Sequence, residues 1–131
     1  MIVVDASAIC AIAFGEPERA DFMAALRAAD GALVSPVNRW EASVSVENRR
    51  PGIAGERVVQ DILTRGGIVV AEMGAAEAGA AFEAWRMFGK GRHPAGLNLG
   101  DCFAYALAST RNLPLLFKGD DFPKTDVRSA L

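Results

Sequence analysis

Ile2-Val3-Val4-Asp5-Ala6-Ser7-Ala8-Ile9-Cys10-Ala11-Ile12-Ala13 is the stretch that decides how this chain folds. Its first three residues form a β-branched, wholly apolar run, the pattern of a short strand covered on both faces. Asp5 ends the run, and Ala6 to Ala13 reads as an apolar helix with Ser7 placed to cap it. A strand followed at once by a helix is the unit of a parallel sheet. Such sheets place ligands just beyond strand C-termini, where Asp5 stands.

The alternation repeats along the chain. Ala32-Leu33-Val34, Ile68-Val69-Val70 and Leu115-Leu116-Phe117 read as further strands, and Asp126-Val127-Arg128 as a short closing strand at the sheet edge. Helices are expected over 17–29, 36–48, 55–64, 75–88 and 99–108. Periodicity turns Phe22, Ala25, Leu26 and Ala29 inward on the second helix, Val37, Trp40 and Val44 on the third, and Phe82, Trp85 and Phe88 on the fifth. The expected architecture is α/β, one domain over 1–131, with a mainly parallel central β-sheet flanked by α-helices. The helices at 17–29 and 75–88 carry more apolar residues than one face needs, so part of that surface is expected to meet a second copy or another protein.

Composition sets limits. A chain of 131 residues that is 51% hydrophobic buries one proper core. A net charge of −2 neither selects nor excludes nucleic acid, because local patches decide that. Cys10 and Cys102 both fall in apolar helical patterns and read as buried free thiols of a reducing cytoplasm. No basic run precedes an apolar stretch as in a signal peptide, and no apolar run has membrane-spanning length.

Four acids stand at the edges of apolar elements. In Leu97-Asn98-Leu99-Gly100-Asp101-Cys102-Phe103-Ala104-Tyr105-Ala106-Leu107-Ala108, Asp101 occupies the opening turn of a helix, where free N–H groups favour a carboxylate. That placement suits a structural acid as well as a catalytic one. Glu41 lies one turn into the third helix, beside Trp40, and Asp5 ends the first strand. Asp120 and Asp121 both follow the fourth strand; Asp120 is preferred as nearer the strand end, with Asp121 in support. In a right-handed parallel sheet these ends share one edge. Four clustered carboxylates do not all stay ionised without a cation, and oxygen donors select Mg²⁺, with Mn²⁺ as the alternative. Such an ion activates water and neutralises the charge that develops on a phosphate, which is phosphodiester hydrolysis. Of the basic loop residues Arg49, Arg50, Lys90, Arg92, Lys118 and Lys124, the pair Lys90 and Arg92 in the glycine-rich loop before Asp101 is favoured for contact with substrate phosphates.

These motifs, in order from Ile2-Val3-Val4-Asp5-Ala6-Ser7 through Trp40-Glu41, Gly89-Lys90-Gly91-Arg92-His93 and Leu99-Gly100-Asp101 to Leu116-Phe117-Lys118-Gly119-Asp120-Asp121-Phe122, resemble a PIN-domain ribonuclease of the VapC toxin type over nearly the full length. The resemblance implies that Asp5, Glu41 and Asp101 bind metal, that Asp120 or Asp121 completes the set, and that Ser7 supports Asp5 by hydrogen bonding. It further implies an RNA substrate, a homodimer, and a VapB-like antitoxin whose C-terminal segment covers the site with a basic residue near Asp5, Asp101 and Asp120. Two other classes compete. A receiver domain also gathers acids around Mg²⁺, but it needs an acidic pair after strand one and an Asp ending strand three, where this chain has Ala71-Glu72. A catalytically silent PIN-like module binding RNA or protein has no use for the four acids.

Overall fold

The computed structural model describes all residues, 1–131. Four parallel strands, β1 (Ile2–Val4), β2 (Ala32–Val34), β3 (Ile68–Val70) and β4 (Leu115–Leu116), lie in the order β3-β2-β1-β4. Registers pair Ile2 with Ala32, Ala32 with Ile68, and Val3 with Leu115. The helices are α1 (Ala6–Ala13), α2 (Arg19–Ala28), α3 (Pro36–Arg49), α4 (Gly55–Gly66), α5 (Ala75–Phe88) and α6 (Leu99–Arg111).

Strands β1, β2 and β4 feed both faces of the sheet, which is why their residues are apolar throughout, while the edge strand β3 leaves Val69 exposed. Ile2, Val4, Val34 and Leu116 join a core with α1 to α4, while Val3 and Leu115 join a second core with α5 and α6. The chain steps outward from β1 to β2 and β3, then returns to add β4 on the other side of β1. That reversal opens a crevice at the C-terminal ends of β1 and β4, the place where open α/β sheets bind ligands.

Three expectations are corrected. The closing strand at 126–128 does not form. β4 has only two residues, and the tail meets it through a single bridge from Leu115 to Ser129, with Leu115 N–H donating to Arg128 O at 2.8 Å. The inward face of α3 is Asn38, Ala42, Ser43 and Val46, whereas Trp40 (67%) and Val44 (36%) are exposed. The cause is a close approach: a Cβ on Gly55 of α4 would stand 2.2 Å from the Ser43 carbonyl oxygen, so small residues fill that seam. On α5, Ala81 and Ala84 are buried against α6, leaving Phe82 and Trp85 exposed and Phe88 half-buried. In each helix the largest rings lie outside the tightest contact. The second helix begins at Arg19, two residues beyond Pro17, and turns Phe22 and Leu26 inward as expected.

No helix is long and apolar enough to cross a membrane. Leu107 is fully buried in the core beneath α5 and α6. Leu107→Ala is expected to cost about 2–5 kcal/mol in urea unfolding; a loss below about 1 kcal/mol would show that this core is loosely packed.

Candidate active site

Asp5 leaves β1 in extended conformation and serves as the N-cap of α1. Its Oδ2 accepts the Ser7 backbone N–H at 2.9 Å and the Ser7 hydroxyl at 2.5 Å. The cap is therefore Asp5 itself, and Ser7 is its support. The Ser7 hydroxyl accepts the Lys118 backbone N–H at 3.0 Å, and the Asp5 N–H donates to Leu116 O at 2.9 Å, so the ends of β1 and β4 are tied together here. Asp5 is only 3% exposed, and burial holds its carboxyl above the usual carboxylate range despite the Ser7 hydrogen bonds.

Glu41 reaches the same place from α3. Its carboxylate lies so close to the first turn of α6 that a Cβ on Gly100 would stand 2.3 Å from Oε2. Any side chain at position 100 would displace Glu41. Burial, then the charge of Asp5, raises its carboxyl.

Asp101 has a structural role at the start of its helix and also lines the cavity that Asp5 and Glu41 share. As the third residue of α6 it closes a capping box with Asn98: Asp101 Oδ2 accepts the Asn98 N–H at 3.0 Å, and Asn98 Oδ1 accepts the Asp101 N–H at 2.9 Å. That leaves Oδ1 for the site. Burial first, then the charges of Asp5, Glu41 and Asp121, push its carboxyl up to about 7.

Asp5, Glu41 and Asp101 line one cavity of about 220 Å³, together with Ser7 and Asn98. Asp120 is exposed and is not among the residues lining it, and Asp121, also exposed, is the acid of that pair whose charge bears on Asp101. Phe122 is buried and stacks obliquely on Phe117, which anchors the loop just after Asp121.

One residue of the site escaped the sequence reading. Asn38, fully buried, donates from Nδ2 to Asp5 Oδ1 (3.2 Å), Glu41 Oε2 (3.4 Å) and Gly100 O (3.0 Å). Its signal was the Ser35-Pro36 start of α3. Ser35 caps the helix by accepting the Asn38 N–H at 2.9 Å, which sets Asn38 one turn before Glu41 on the same face.

The basic residues divide into two groups. Lys118 is neutralised by Glu16 and by Glu18 at 3.2 Å. Arg49 lies 3.7 Å from the Phe14 ring centroid. Lys90 is exposed and forms no ion pair, and the Arg92 guanidinium lies 4.8 Å from the Trp85 ring centroid. Their loop is a hydrogen-bonded structure rather than a loose segment: Lys90 N–H donates to Leu97 O at 3.0 Å and Leu97 N–H to Phe88 O at 2.9 Å. His93 is structural, with Nδ1 accepting the Ala95 N–H at 3.0 Å. A larger apolar groove of about 440 Å³ runs beside this loop, lined by Phe82, Trp85 and Leu99 among others, and contains no acid.

The donor set fits a hard divalent cation. Three carboxylates share one cavity, and none of the five ion pairs in the protein involves any of them, so no side chain supplies the compensating charge. No three acidic, histidine or cysteine side chains stand close enough to ligate one ion together. Mg²⁺ accepts such a site, because it keeps several waters and takes only one or two carboxylates directly.

A PIN domain model matches residues 2–128. Ribonucleases VapC30 and VapC42 of Mycobacterium tuberculosis are each 42% identical to the chain, the first over 96% of this chain and 95% of its own length, the second over 98% of each. The chain belongs to the VapC family of PIN-domain proteins. The crystal structure of VapC20 from Mycobacterium tuberculosis, described as a sarcin-ricin loop cleaving toxin, superposes with a TM-score of 0.71 over 98% of this chain and 99% of that one; at 19% identity the likeness is one of fold. In this VapC-family chain the acids lie at the sheet crevice.

Because Asp5, Glu41 and Asp101 are all raised, the folded metal-free protein holds more protons than the unfolded chain between the usual carboxylate range and about pH 7. Its stability therefore falls as pH rises through that window. Thermal melting in EDTA is expected at a higher temperature at pH 5.5 than at pH 8, and Mn²⁺ is expected to raise the melting temperature more at pH 8. A melting temperature that climbs with pH in EDTA would contradict this charge balance.

Proposed function

We propose that the chain is a divalent-metal-dependent endoribonuclease toxin that cleaves RNA phosphodiester bonds and is neutralised by a VapB-like antitoxin. The observation that carries the reading is the single cavity holding Asp5, Glu41 and Asp101 with no cationic side chain paired to them. In this reading these three acids hold the ion, one or two of them directly and the rest through its waters, and Asp121, whose charge reaches Asp101, is preferred over Asp120 as the fourth acid. When bound, Mg²⁺ or Mn²⁺ supplies an activated water and neutralises charge on the scissile phosphate. The protein contributes position: Ser7 holds Asp5, the Asn98 capping box orients Asp101, and Gly100 leaves room for Glu41.

Lys90 and Arg92 are assigned to RNA phosphates. RNA is taken as the substrate class because the relatives at 42% identity are named ribonucleases. For the antitoxin, an Arg suits the carboxylate-lined cavity, since its planar fork binds a carboxylate bidentately and stays charged when desolvated. The exposed Phe82, Trp85 and Leu99 beside the apolar groove are read as the surface on which two copies associate. The free thiols Cys10 and Cys102 fit a reducing cytoplasm.

The purified protein is expected to cut single-stranded RNA with Mg²⁺ or Mn²⁺ and to lose this activity in EDTA. Asp101→Asn should abolish cleavage and still fold, because one source of carboxylate repulsion is removed. RNA binding without metal-dependent cleavage would favour the silent-module alternative instead. Lys90→Ala is expected to weaken RNA binding across sequences and to reduce the slope of log affinity against log salt by about 1. An unchanged slope would remove Lys90 from the phosphate contacts.

A further inference from the structure

We propose that Asn38 is a positioning residue, whose carboxamide sets the spacing of Asp5 and Glu41 in advance of the ion and so determines how tightly the site takes a divalent cation. This rests on the reading that those two acids help hold the ion.

The geometry is specific. One buried Nδ2 with two hydrogens faces three acceptors, and each belongs to a different element: Asp5 at the end of β1, Glu41 on α3 and the Gly100 carbonyl in the first turn of α6. No other side chain bridges these three elements at the site. Asn38 is also the only side-chain donor to the Glu41 carboxylate and the only one to Asp5 Oδ1. Its orientation is fixed from behind, where the Ser35 hydroxyl donates to Asn38 Oδ1 and so turns the NH₂ side toward the carboxylates. A flipped amide would set its own carbonyl oxygen against two carboxylates.

A neutral donor suits this task better than a charged one. Lys or Arg at position 38 would pair with Asp5 and Glu41 and compete with the ion for the same oxygens. An amide gives hydrogen bonds without occupying the place of the charge. It holds the two carboxylates apart by a fixed distance and leaves their net negative field for the metal. Ser35 serves the carbonyl side of the amide and Gly100 O takes one of its two hydrogens, so the second hydrogen is left to the pair of carboxylates, Asp5 and Glu41.

The test uses Mn²⁺ as the probe, with affinity measured by electron paramagnetic resonance of free ion on the full chain. Asn38→Ser shortens the side chain so that its hydroxyl no longer reaches either carboxylate. Removing an outer-shell partner of this kind is expected to weaken Mn²⁺ binding by about 10–100-fold, while KM for RNA at saturating Mn²⁺ stays at the wild-type value. Ser35→Gly provides a second variant that preserves the fold. Glycine is nearly as good an N-cap, so α3 is retained, but the amide loses its orienting hydroxyl. It should weaken Mn²⁺ binding by less than Asn38→Ser, with a melting temperature near that of the wild type.

Unchanged Mn²⁺ affinity in both variants, with only a lower melting temperature for Asn38→Ser, would make Asn38 structural and overturn the proposal. A wild-type protein that binds no Mn²⁺ would overturn the metal-site reading and this inference with it. Mn²⁺ binding that is weakened in both variants, in a wild type that cuts no RNA, would uphold the role of Asn38 and sink the ribonuclease reading alone.

Discussion

Everything about this molecule's crevice follows from the electrostatic cost of bringing Asp5, Glu41 and Asp101 together away from bulk water with only neutral donors around them. The carboxyls are raised chiefly by burial and secondarily by one another, and the protein answers with hydroxyl, amide and backbone N–H groups rather than with Lys or Arg. Such a site is stable enough to form but remains short of positive charge. A divalent cation would relieve that deficit, and stability, metal binding and pH would then be aspects of one balance.

The fold meets this constraint by delivering each acid from a rigid element. Asp5 caps α1 at the end of the central strand, Asp101 closes the capping box of α6 with Asn98, and Glu41 lies one turn beyond Asn38, which the Ser35 cap of α3 holds. A capping carboxylate is already held by backbone donors, so its position costs little further ordering when the ion enters. Close approaches complete the arrangement. Gly100 lets Glu41 lie against α6, and Gly55 lets α4 press on α3.

Much of this was legible in the sequence, for identifiable reasons. The four strands are short, apolar and bounded, so β1 to β4 and the acids that end β1 and open α6 could be placed from pattern alone. What periodicity could not give was which face of a helix carries small residues into a tight contact. It turned Trp40, Phe82 and Trp85 inward because they are large and apolar, whereas alanine, serine and glycine occupy the closest seams. Asn38 was passed over because a polar residue in a helix reads as solvated until the elements around it are assembled. Nearness to the strand end favours Asp120 over Asp121 in the sequence, but the turn through Gly119, with φ of +111°, sets the direction of that loop, and its geometry is not encoded in residue spacing.

The family membership and the geometry meet in one claim: that a divalent ion sits among Asp5, Glu41 and Asp101. The most direct measurement is anomalous X-ray scattering from crystals of the protein grown with Mn²⁺. The account predicts one strong peak in this cavity, within about 2.6 Å of at least one of the three carboxylates and with waters completing its shell. A peak elsewhere on the molecule, with this cavity empty at saturating Mn²⁺, would contradict it.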